Sequence, residues 1–152
     1  MPPASGTSDP TRTSVGTLNT MDADTIIAVL GLEPHPEGGF YRETWADGTG
    51  SAIYFLLRDG EPSAWHRVHG RTEIWHFYAG APIELRINET SPAEADASTV
   101  ELGTDLAAAQ RPQAVVPAGA WQCARTLGAW TLVGCTVTPP FSFEAFELAS
   151  QR

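Results

Sequence analysis

From Phe40 onward the chain alternates short apolar stretches with polar or Pro/Gly-rich breaks. IELRIN (83–88) shows the pattern clearly. Ile83, Leu85 and Ile87 fall on one face, and Glu84, Arg86 and Asn88 on the other, the period of two that a half-buried strand requires. FYRETW alternates in the same way after the Gly38-Gly39 break, and SAIYFLL (51–57) is a strongly apolar strand. AWHRVH and TEIWHFY read as two strands on either side of Gly70. TVELG, QAVVPAGAWQCAR, WTLVGCTVT and FSFEAFELA complete the set. Helical periodicity is scarce. MDADTIIAVLGL predicts one short helix, capped by Asp22 or Asp24, carrying Ile26, Ile27 and Leu30 and ended by Gly31. DLAAAQ predicts a helical turn. Eight or more short strands with almost no helix predict an all-β sandwich or barrel.

Residues 1–20 are rich in Ser, Thr, Pro and Gly and read as a disordered tail, leaving 21–152 as one domain. No apolar run approaches the roughly 18 residues of a membrane span, and the N-terminus lacks a signal-peptide core. The expected compartment is the cytoplasm. The formal net charge of -9, without any basic cluster, argues against nucleic acid and anionic membranes as partners. All nine basic residues are arginine, which excludes every lysine-dependent mechanism. A hairpin turning near Gly128 would set Cys123 opposite a residue near Val133 and leave Cys135 beyond disulfide reach. Two buried free thiols are therefore expected.

Candidate chemistry concentrates in GEPSAWHRVHGRTEIWHFYAG (60–80), which holds three of the four histidines. Gly60, His66, His69, Glu73 and Gly80 stand at spacings close to glycine, five residues, His-x-His, three or four residues, glutamate, six residues, glycine. Pro117, Gly119 and Gln122 stand where a second motif has proline-x-glycine, two residues, histidine. The chain thus resembles the cupin superfamily. PEGGFYRETW, HRVHGRTEIWHFYAGAPIEL, VVPAGAWQ and TPPFSFEAFELA make it similar to the cupin-five branch, from about Gly31 to Ala149. The resemblance implies a double-stranded β-helix (a small RmlC-like jelly roll), a homodimer, and a small-molecule pocket in the barrel mouth.

Imidazole and carboxylate groups converging inside a barrel can hold Fe, Mn, Ni or Zn. The resemblance makes His66, Glu73 and Gln122 the metal-site candidates, with His69 as a fourth. His66 and His69 are three apart, so on a regular strand they face oppositely, and loop exposure of His69 is the alternative reading. Gln122 replaces the motif's last histidine. Its amide either binds a hard cation weakly or hydrogen-bonds a ligand; otherwise it is a solvent-facing strand amide. Trp75 and Phe77 share the Glu73 face, as a pocket wall or as barrel filling. His76 takes the opposite face and reads as structural. Arg42 is the candidate anion clamp, with an edge ion pair to Glu43 as the alternative.

Three functions remain open. One is a metal-dependent lyase, isomerase or oxygenase acting on a polar metabolite or sugar derivative through His66 and Glu73. The second is a metal-free acid–base enzyme like the sugar-nucleotide epimerases, with Tyr41 or Tyr54 as acid. The third is a non-catalytic metabolite-binding module.

Overall fold

A computed structural model describes residues 16–150. Residues 1–15, most of the expected tail, lie outside the described residues. Leu18–Thr20 forms a 3-10 turn rather than tail, and Asn19 Oδ1 accepts a hydrogen bond from the Gly80 amide. One α-helix, α1 (Ala23–Leu30), comes next. The Asp22 carboxylate caps it by accepting from the Thr25 amide, and Gly31 ends it in a left-handed conformation.

Eleven strands and a second 3-10 turn (Leu106–Ala108) complete the described chain: β1 (Glu33–Pro34), β2 (Phe40–Ala46), β3 (Ser51–Arg58), β4 (His66–Val68), β5 (Thr72–Gly80), β6 (Ile83–Asn88), β7 (Ser98–Leu102), β8 (Gln113–Val116), β9 (Trp121–Thr126), β10 (Trp130–Thr138) and β11 (Phe146–Leu148). They build two antiparallel sheets, one in the order β1-β2-β3-β10-β5-β8 and the other β11-β4-β9-β6-β7. This is the expected jelly roll.

The two inner faces meet in one apolar core. Phe55, Leu57, Trp75 and Val133 come from the first sheet, and Ile83, Leu85 and Leu102 from the second. Strand β3 is apolar throughout because both its faces are covered. Phe55 and Leu57 point into the barrel, while Leu56 points out against Ile26 of α1. At roughly 25 cal/mol per Å2 of apolar surface, each such side chain contributes about 1.5–3 kcal/mol.

The expected hairpin at Gly128 does not form. β9 and β10 lie in different sheets, and the chain crosses the barrel between them. Cys123 pairs in register with Arg86, and Cys135 with Ile53 and Trp75. Both thiols are free, but only Cys135 is buried; Cys123 is half-buried.

The bend before β2 is tight. His35 donates its amide to Gly39 O, and Gly38 donates to His35 O, closing a loop over residues 35–39. Gly38 and Gly39 have φ values of 103° and 76°. A Cβ on Gly38 would lie 2.7 Å from Pro62 O, and one on Gly39 2.8 Å from Leu56 O. Backbone freedom and close approach both demand glycine here. Gly39→Ala is expected to destabilise the protein by roughly 2 kcal/mol or more, as left-handed strain and the backbone clash add. Gly48→Ala, where an added Cβ meets nothing within 4 Å, should stay within about 0.5 kcal/mol. Chemical denaturation of both variants checks this pair, and equal losses would refute it.

Candidate functional site

The first sheet and β4 enclose a cavity of about 190 Å3 at one end of the barrel. His66 opens β4, and the strand's alternation turns His66 and Val68 into the cavity and Arg67 outward. Glu73 enters from β5, opposite Val137 of β10 and Val116 of β8. The tight loop adds a residue that the sequence pattern did not single out. Glu37, immediately before the two glycines, is buried, and its Oε2 lies 2.6 Å from His66 Nε2. Ala64 donates its amide to Glu37 O, so the loop is tied to the segment leading into β4.

His66 therefore has both ring nitrogens engaged. Nδ1 donates to Ala64 O at 2.8 Å, and Nε2 faces the Glu37 carboxylate. Burial works against its charge. The Glu37 carboxylate and, beyond it, Glu73 outweigh burial and push His66 up to about 9. Glu37 Oε2 is buried and meets His66 as an ion pair, with no further donor.

Glu73 is held from behind. The Trp75 indole N–H donates to Gln122 Oε1 at 2.9 Å, and Gln122 Nε2 donates to Glu73 Oε1 at 2.6 Å. Gln122 stands directly opposite His66 in the register of β4 and β9. Burial pushes the Glu73 carboxyl up to about 7. The charge of Glu37 adds to this, while His66 and hydrogen bonds from Gln122 and Cys135 pull the other way.

The walls are aromatic. The segment after β10 supplies Phe141 and Phe143, β11 supplies Phe146, and β2 supplies Tyr41. Their rings surround His35, with Tyr41 at 4.6 Å and Phe146 at 5.8 Å between ring centroids. His35 Nδ1 accepts from the Glu37 amide, so its ring is neutral with the proton on Nε2. Burial lowers its basicity further. The Phe141 amide donates to Ser51 Oγ, which pins this segment to the start of β3. Glu43 is exposed at the mouth.

Several expected site residues lie elsewhere. Arg42 is exposed, and its guanidinium packs near Gly31. Strand alternation sends Tyr41 and Glu43 to the cavity instead. His69 lies past the end of β4 and pairs with Glu147 on the surface at 2.6 Å. Trp75 and Phe77 face inward as their parity requires. They lie deeper along β5, in and against the core rather than at the cavity, with Trp75 edge-on to Phe55. Gln122 is fully buried and supports Glu73 without lining the cavity. His76 bonds Thr136 on the other face of β5. Tyr54 and Tyr78 pack together on that outer face, which leaves Tyr41 as the cavity tyrosine.

The residues do not fit a resident metal. Among the described residues, no three His, Cys, Asp or Glu side chains gather in ligating geometry. His66 Nε2, the nitrogen left for an ion, is closed off by Glu37, and Gln122 Oε1 is already the acceptor for Trp75. His69 is on the surface.

Residues 24–149 match the family model described as cupin superfamily, DUF985. The chain belongs to this cupin family. A Shewanella oneidensis protein of known structure is 40% identical, with 86% of this chain and 85% of that chain covered and a TM-score of 0.78. A hypothetical protein from Leishmania major is 28% identical, with 86% and 88% covered and a TM-score of 0.77. KdgF from Halomonas sp. shares the cupin fold at 13% identity and a TM-score of 0.57, with 74% and 89% covered. No curated protein matches. No helix among the described residues is long and apolar enough to cross a membrane.

The two shifted groups act on stability in the same direction. Folding favours protonated Glu73, so that contribution is complete below about 4.5 and is lost as pH rises toward about 7. The His66 contribution is complete below 6.5 and is lost as pH rises through about 9. Glu73→Gln removes the first window. Its stability relative to the parent should climb between pH 4.5 and 7.5 and then level off. Denaturant titrations across that range read the difference directly, and a difference that stays flat would show that Glu73 is not held neutral by burial.

Proposed function

We propose that this cupin is a metal-free acid–base enzyme of the isomerase or epimerase type, acting on a small polar metabolite such as a sugar derivative. The observation that carries the reading is Glu73: a carboxyl group in the cavity, pushed to about 7. An acid poised near working pH suits proton abstraction and return, since both of its forms are populated. The Gln122–Trp75 chain fixes its orientation from the dry side.

In this reading Glu73 takes the proton from a C–H next to a carbonyl. The electron pair moves onto the carbonyl oxygen, and the imidazolium of His66 stabilises the developing negative charge electrostatically. Tyr41, which lines the same cavity from β2, gives its proton to that carbon as the electron pair returns from oxygen, and the Glu73 proton and the tyrosinate then re-equilibrate through water. The change is an isomerisation, with no oxidant or reductant. His66, charged and engaged at both nitrogens, is a poor base here, so the histidine-base version of the epimerase scheme is replaced by a glutamate base.

The test is solvent deuterium uptake into a panel of small aldoses, ketoses and their amino and acid derivatives, followed by proton NMR. The parent should wash deuterium into one carbon position, with a rate that rises through a pH near 7. Glu73→Gln should lose about 100-fold or more in that rate, and Tyr41→Phe should lose less. A ligand that binds and survives long incubation without exchange would make the protein a binding module.

A further inference from the structure

The cavity carries more negative than positive charge. Glu37, Glu43 and Glu73 line it, against one cation, His66, which Glu37 already neutralises; His35 is neutral. Among the described residues, no arginine lines it. Arg42 is exposed on the other face of β2, and Arg67 pairs with Glu147 and lies over the Trp121 ring at 4.4 Å. Arg71 donates to Pro140 O and His69 O. An anionic ligand would thus meet Glu43, and Glu73 once it ionises, with no free cation.

A second observation points to what would fit. Glu37, only 7% exposed, lines the cavity and is held against His66 Nε2 at 2.6 Å, so it screens the imidazolium from a bound anion. The walls point the same way. Phe141, Phe143, Phe146 and Tyr41 line the cavity around the neutral His35 ring, and an aromatic wall of this kind favours a cation over an anion. The formal charge of -9 favours encounter with cations and slows approach of anions.

We infer that the cavity takes a small organic cation, a metabolite bearing a primary amine on a ring or short polyol, and rejects phosphorylated or carboxylated analogues. The volume of about 190 Å3 is below the roughly 300 Å3 at which drug-sized pockets begin, which limits the ligand to about one small ring. The inference deepens the proposed function by naming a substrate class, and it needs only that this cavity is the binding site. The anion-clamp role expected for Arg42 is thereby replaced by its opposite.

Calorimetric titration of the full chain with glucosamine, glucose and glucuronate at pH 7 tests the charge order. Glucosamine should bind about tenfold or more tighter than glucose, the equivalent of roughly 1.4 kcal/mol, with glucuronate weakest. Glu43→Gln, at the exposed mouth where folding is not at risk, should narrow the gap between glucosamine and glucose. Glu37→Gln should narrow it further. Equal affinity for the three sugars, tighter binding of glucuronate, or no binding of the amine overturns the inference. The two readings fail separately. An amine preference without deuterium exchange sinks the enzyme and keeps the cation site, whereas exchange in an anionic sugar does the reverse.

Discussion

The ion pair between Glu37 and His66 is the interaction on which the site depends. Separating either partner from the other would leave an uncompensated charge in a dry interior, a loss of about 3–5 kcal/mol in comparable proteins. The pair explains features that are otherwise unrelated. It requires two glycines after Glu37, because only a left-handed bend pressed against Pro62 and Leu56 delivers that carboxylate to the barrel. It keeps His66 charged, and that charge moderates the rise in the Glu73 carboxyl. It also closes off the imidazole nitrogen, so a motif whose spacing suggests a metal centre becomes an ion-paired, carboxylate-lined floor.

Two substitutions relative to the cupin motif reshape that floor together. Gln122 stands at the position of the last motif histidine, and it bridges Trp75 and Glu73 through two hydrogen bonds instead of offering a lone pair to an ion. His69 is displaced by one residue from a His-x-His spacing, and parity throws it to the surface onto Glu147. What remains is a carboxylate network with one imidazolium and an aromatic surround.

The strands were legible because period-two patterning survives wherever one face is buried, as in β6, and because a doubly covered strand such as β3 shows as a continuous apolar run. His66 and Glu73 were legible through their spacing from two glycines. Glu37 was not. It sits in a loop of EPHPEGG, where no periodicity operates, and only its position before two obligate glycines hinted at a forced approach to the barrel. The depth of Trp75 and Phe77 was illegible for a different reason. Parity assigns a side chain to a face but says nothing about its height along the barrel axis. Arg42 fell on the wrong face because resemblance, rather than alternation, placed it. The supposed hairpin at Gly128 failed because a short turn joins strands of different sheets as readily as neighbours in one.

The cavity draws its wall from His35 at one extreme and Phe146 at the other, with β4, β5 and β10 between. Such pairings between distant parts of the chain form slowly, since loop closure must precede any gain from contact. Until both sheets have docked, Glu73 is an ordinary glutamate and His66 an ordinary histidine. The raised proton affinity of this floor is therefore a property of the finished topology, and no fragment of the barrel should display it.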